Sequence, residues 1–250
     1  MKESRWLYVI AESHLGAREG DLEAMISFLS SLDPEQSEIL FLGDLFHIWA
    51  GPAKFHTDSV RQLLGFLHDF RSRAGRVYLM TGNRDVFFPE VPGRRKDWGL
   101  PFDRIATEAL VLEKAGGKLM AVHGDTVNSR DINYLRWRNM VRSPLFRLPF
   151  RLMPARIARK IMFSLESKLK QTNLAFRKDF PEEEWLKFLE HIQLLSSPDL
   201  LLCGHFHPET LICNQVEQTT GLILPDWCDS RFYLLIDENL AFREKKFTSN

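Results

Sequence analysis

Four short apolar runs mark the first half of the chain: WLYVIA (6–11), EILFLG (38–43), RVYLMTG (76–82) and KLMAVHG (118–124). Each is strand-length, and each ends in turn or polar residues, which predicts buried strands. Between them, DLEAMISFLSSL (21–32) and DSVRQLLGFLHDFRSR (58–73) place apolar residues at i, i+3 and i+4. Each of these helical patterns begins at an Asp that can act as a cap. Strands alternating with helices predict an α/β body with helices outside the sheet.

The pattern changes between residues 128 and 180, where no strand is apparent. That stretch reads as helical, with breaks at Pro144, Pro149 and Pro154. A further helix, EEEWLKFLEHIQLL (182–195), precedes the strand DLLLCG (199–204) and the β-like segments at 211–215, 220–227 and 231–237. The prediction is a single domain over residues 1–250, carrying a helical lid inserted at about 128–180.

Composition narrows the field without naming a function. Of the 250 residues, 44% are apolar and 26% charged, with zero formal net charge. Such values describe an ordinary globular protein and give no sign of a nucleic-acid binder. Three cysteines without a CxxC pair argue against a disulfide framework and for a reducing compartment. The first apolar run is too short for a signal peptide, and Glu12 and His14 interrupt it, so a cytoplasmic protein is expected.

The chemistry gathers where the strands end. AESHL supplies Glu12 and His14, GDLFH supplies Asp44, and GNRD supplies Asn83, Arg84 and Asp85. HGD supplies His123 and Asp125, and GHFH supplies His205 and His207. Strand ends are where α/β folds build their sites. Carboxylates, an amide oxygen and imidazoles suit a pair of divalent cations such as Mn, Fe, Zn or Co. Two such ions roughly 3.5–4 Å apart activate water and stabilise in-line attack on phosphorus. Asp44 is the natural bridge between them, and Arg84 the cation for the phosphate oxygens. Any one of these residues alone reads as a turn or core residue. Their order, each set following a strand, does not. His56, His68 and His191 fall within helical patterns and are read as structural.

This order of motifs resembles the calcineurin-like metallophosphoesterases over most of the chain. GNRD, HGDT, a basic helical insertion, GHFH and LPDW together resemble the UDP-2,3-diacylglucosamine hydrolase family. The resemblance implies a four-layer α/β/β/α sandwich of two mixed sheets with a helical lid. It implies cleavage of the substrate's pyrophosphate to UMP and 2,3-diacylglucosamine 1-phosphate, a step of lipid A synthesis, with two Mn²⁺ ions. One ion would take Glu12, His14, Asp44 and His207, and the other Asp44, Asn83, His123 and His205. The implied catalytic group is Asp44, Asn83, Arg84 and His123. The implied substrate contacts are Asn83, Arg84, Asp131, Tyr134 and His205. The chain departs from the family pattern at Glu12, normally Asp, and at His47, normally an acid. His47 is read as a bystander.

The insertion supplies a second, independent hint. Residues 128–170 carry eleven Arg and Lys against Asp131 and Glu166, interleaved with Trp137, Phe146, Phe150 and several Leu and Met. One reading is a pair of amphipathic surface helices packed on the body. The other is a lid that meets an anionic membrane and holds acyl chains, since Arg beside Trp, Phe and Leu suits an interface. The expected partners are therefore a lipid-linked nucleotide substrate and an anionic surface, with no nucleic acid and no protein partner. The expected location is peripheral, on the cytoplasmic side of the inner membrane. Two rival readings remain: a phosphoesterase for another phosphodiester or nucleotide, and a membrane-associated scaffold without turnover.

Overall fold

Apolar residues on both faces of the first strands each find a different core. A computed structural model describes residues 5–47, 49, 51–85, 88, 99–157, 160–161, 164 and 180–248. Strands β1 (Trp6–Ala11), β2 (Ser37–Leu42), β3 (Arg76–Met80) and β4 (Arg104–Ala106) pair in parallel. β10 (Phe232–Ile236) and β11 (Phe242–Lys246) continue that sheet antiparallel beyond β1, giving the order β11-β10-β1-β2-β3-β4. The second sheet has the order β5-β6-β7-β9-β8. It is built from β5 (Leu110–Lys114), β6 (Gly117–Val122), β7 (Leu200–Cys203), β8 (Ile212–Val216) and β9 (Thr219–Ile223).

Alternate residues sort into three cores. Leu7, Val9, Leu40 and Leu42 face Leu119, Ala121, Leu200 and Leu202 between the two sheets. Ile10, Ile39, Phe41 and Leu79 face outward, onto Met25 and Phe28 of α1 (Asp21–Ser30) and Leu63 and Leu67 of α2 (Asp58–Ser72). On the far side, Leu201 and Ile223 meet Trp185 and Leu189, which belong to a later helix. The layers run helix, sheet, sheet, helix, as expected. Each fully buried Leu or Phe here contributes about 2 kcal/mol of transfer free energy, so a period-2 pattern read on both faces sets the stacking.

Of the insertion, α3 (Ile132–Arg142) and α4 (Pro144–Leu152) are described. Lys168 and Lys170 lie outside the described residues. The helix against the second sheet, α5 (Glu182–Ser196), follows, and a short α6 (Trp227–Ser230) sits between β9 and β10.

Several local expectations need correcting. Pro149 lies inside α4 rather than ending it. Its ring forfeits one intrahelical bond, which this short helix tolerates, while Pro144 opens the helix where no donor is needed. The caps are Gly20 and Thr57, not Asp21 and Asp58. The two Asp residues stand in the first turn, where a negative charge meets the positive end of the dipole. His56 lies before α2, with Nε2 2.9 Å from the Gly51 carbonyl, so it is not helical. The sequence pattern also passed over β4, β5 and β11. β5 turns back into β6 through Ala115–Gly116, with Lys114 opposite Gly117. β11 is a charged sheet edge, the kind of strand that resists pairing with another chain.

Candidate active site

Every donor singled out from the sequence lies just past the carboxyl end of β1, β2, β3, β6 or β7. Five of them, Glu12, His14, Asp44, His205 and His207, have left-handed backbones, with φ of 50°, 44°, 45°, 69° and 49°. Non-glycine residues adopt that region at a cost and gather at functional sites. Two neighbouring glycines are required by close approach. A Cβ on Gly43 would stand 2.0 Å from His123 Nδ1, and one on Gly82 would stand 2.1 Å from Asp44 Oδ1.

The donors fall into two groups. In the first, Nε2 of His14 and Nε2 of His207 lie 3.3 and 3.4 Å from Glu12 Oε2. That oxygen and His14 Nδ1 are buried without a hydrogen-bond partner. The two imidazole rings stack with centroids 5.5 Å apart. One ligand atom from each of these three residues lies within 4.8 Å of the others, close enough to share a single cation.

In the second group, His123 Nε2 lies 3.0 Å from Asn83 Oδ1, 3.2 Å from His205 Nδ1 and 4.0 Å from Asp44 Oδ1. Asp44 Oδ1 also accepts the Arg84 amide at 2.8 Å, and the Arg84 guanidinium is 3.5 Å from Oδ2. The Asp44 carbonyl accepts the His14 amide, which ties the second motif to the first. Glu12 reaches across as well. Its Oε1 accepts the His205 amide at 2.8 Å and faces His123 Nδ1 at 3.3 Å.

The electrostatics follow from this crowding. Burial alone would raise the Glu12 carboxyl, but His123, His14 and His207 hold it well below the usual range. Burial and the neighbouring His123 push His205 down to about 4. Burial would also lower His207, but Asp226 and Glu12 raise it to about 10. Burial, then the Asp44 charge, lifts Asp85 to about 7 despite two amide donors.

The expected substrate residues divide. Asn83, Arg84 and His205 stand in the donor cluster. Asp131 caps α3 by accepting the Tyr134 amide at 3.0 Å, and the Tyr134 hydroxyl donates to Asp125 at 2.8 Å. His47 is buried with its ring 6.5 Å from that of His14, beside the donors rather than among them.

Three contributors went unrecognised as such in the motifs. Asp85 Oδ2 accepts the Leu45 and Gly82 amides at 3.2 and 3.1 Å, locking the Asp44 loop to the Asn83 loop. Its place in GNRD was the available signal. Buried Arg138 fastens α3 to the body through Asp125 at 2.8 Å and Glu108 at 3.1 Å. Asp226, in LPDW, lies 3.4 Å from His207 Nδ1.

Oxygen and imidazole donors, gathered at parallel strand ends with buried ligand atoms left unpartnered, fit divalent cations. The calcineurin-like phosphoesterase family matches residues 6–209, and the chain belongs to that family, a class of metal-dependent hydrolases of phosphate esters. Among curated relatives named UDP-2,3-diacylglucosamine hydrolase, the Stenotrophomonas maltophilia protein is 29% identical over 92% of this chain and 94% of its own length. The Vibrio atlanticus protein is 27% identical over 88% of each chain, and that of Haemophilus influenzae (strain PittGG) 25% identical over 88% of this chain and 90% of its own.

Proposed function

We propose that this chain hydrolyses the pyrophosphate of UDP-2,3-diacylglucosamine, releasing UMP and 2,3-diacylglucosamine 1-phosphate, with two Mn²⁺ ions. The observation that carries the reading is the convergence of seven donors from five strand ends into two adjoining groups. Glu12, His14 and His207 would hold one ion; Asn83, His123 and His205 would hold the other, with Asp44 between them. Such ions supply Lewis-acid activation of water and neutralise charge on the diphosphate. The chain's own groups do the rest. Arg84, anchored by Asp44, places a guanidinium where negative charge grows on the non-bridging oxygens. Asn83 Oδ1 and His123 Nε2 face each other at 3.0 Å, as two ligands of one ion would, while Glu12 Oε1 faces the other nitrogen of that ring.

The lid reading rests on exposed apolar side chains. Ile132, Trp137 and Met140 of α3, and Leu145, Leu148 and Leu152 of α4, are all exposed. Apolar surface of this kind, beside a site for an acylated diphosphate, supports acyl-chain capture and contact with an anionic membrane. No helix among the described residues is long and apolar enough to cross a bilayer. Within a single domain, α3 and α4 would then act as the lid, with Asp131 and Tyr134 at its hinge side.

The test is product analysis with detergent-dispersed UDP-2,3-diacylglucosamine, with Mn²⁺ or with chelator. UMP should appear only with metal. Hydrolysis of a soluble aryl phosphodiester without any UMP release would instead favour a different phosphodiester substrate.

A further inference from the structure

Asp226 has no part in the chemistry described above, yet it touches it. It precedes α6, in the turn that follows β9. Its two carboxylate oxygens face different partners. Oδ1 accepts the Asp229 amide at 2.6 Å and caps α6. Oδ2 lies 3.4 Å from His207 Nδ1. The other nitrogen of that ring, Nε2, lies 3.4 Å from Glu12 Oε2. His207 is thus held at both nitrogens by buried carboxylates, while its face lies parallel to His14 at an interplanar angle of 5°.

The support under Asp226 is rigid. The next residue, Trp227, is fully buried, with its ring 5.0 Å from that of Phe28 of α1. The Ser230 hydroxyl donates to the Asp226 carbonyl. A carboxylate on such a foothold can dictate how a ring beside it is oriented.

We propose that Asp226 is a positioning residue for His207: it accepts the Nδ1 proton and so presents the Nε2 lone pair toward Glu12 and His14. A neutral imidazole carries one proton. Glu12, facing Nε2, is read as a ligand of the same cation, whereas Asp226 is not. The proton therefore stays on Nδ1 against Asp226, and Nε2 is left free to bind. The proposal rests on the reading of His207 as a metal ligand. It adds the reason this ring binds through one nitrogen and not the other.

Asp226→Asn separates this role from capping. The amide oxygen can still accept the Asp229 amide, which turns the new NH₂ group toward His207. That group donates, so it favours a proton on Nε2, the wrong nitrogen for the cation. The experiment uses Zn²⁺-loaded protein, read by ¹⁵N NMR of the histidine rings and by stepwise Zn²⁺ titration. Wild type should bind two ions, with His207 liganded through Nε2 and protonated on Nδ1. Asp226→Asn should lose about 10–100-fold in affinity for one ion and keep the other. A merely structural Asp226 would change neither the ring's tautomer nor one ion selectively. Wild-type His207 liganded through Nδ1 would overturn the proposal, whether or not the variant folds. Two ions bound undiminished by a folded Asp226→Asn would also overturn it, leaving the metal centre intact. A wild type that takes up no ion would bring down the metal-centre reading itself, and this proposal with it.

Discussion

The two donor groups share one fold and differ in what holds them together. Around Glu12, His14 and His207, a carboxylate sits between imidazoles, so opposite charges attract even without a cation. Around Asn83, His123 and His205, the close contact is imidazole to imidazole at 3.2 Å, and two protonated rings there would repel. Burial would lower His207 in the first group and His123 in the second, but neighbouring carboxylates raise both, while burial and the adjoining His123 lower His205. Glu12, Asp44 and the backbone bond between His14 and Asp44 help join the halves into one site. The donor cluster is therefore two unequal cups joined at their rims.

The largest effect should come from breaking the join. Asp44→Ala is expected to lower turnover by at least about a thousand-fold, with the circular dichroism of a folded protein and fewer than two ions retained. Full turnover in that variant would exclude the two-ion reading. Next, Glu12→Gln keeps the shape and removes the charge that faces both groups, so both ions should bind more weakly, each by more than about tenfold. His205→Ala should weaken only one ion, and equal losses in the two variants would erase the distinction between the groups.

Arg84→Ala should cost about 10–100-fold in turnover and leave the thermal midpoint nearly unchanged. Unaltered turnover would remove Arg84 from the site.

The pH response of chelator-treated protein sharpens the contrast directly. His205 sits at about 4 when folded and returns to 6.5 on unfolding. The unfolded chain therefore takes that proton first on acidification, and stability falls as pH drops from 6.5 toward 4. His207 sits at about 10 when folded against 6.5 unfolded. Its contribution is complete below 6.5 and disappears as pH rises through 10. Thermal midpoints should thus be highest near neutrality and fall by a few degrees on either side. A midpoint that climbs steadily from pH 7 to 10 would contradict the assignment of His207. The smallest effect is expected from Tyr134→Phe, which removes one hydroxyl from Asp125 and should cost about 1 kcal/mol of stability, read by urea unfolding.

What could be read from the linear chain, and what could not, follows the range of the interactions. The burial of the first strands was legible because Leu7, Val9 and their neighbours alternate with residues that are also apolar, so both faces had to be covered. The four-layer stacking came from the family resemblance. The donors were legible because each follows a strand within a short motif. Their division into two groups came only from the family resemblance, since nothing local says that His205 meets His123 while His207 meets Glu12. The fastening of α3 was hidden for the same reason. Arg138 reads as one more positive charge on a basic helix until Asp125 and Glu108 are seen beside it. β11 was missed because its exposed charges carry no apolar pattern, and Pro149 because a short helix can lose one bond and persist.

The left-handed backbone shared by five of the donors has a practical consequence for anyone evolving this protein. Glycine would relax each of those positions while deleting a ligand. Selection on heat resistance alone would reward such changes, and the survivors would be sturdy but inert. A screen for hardier variants must therefore score product at every round.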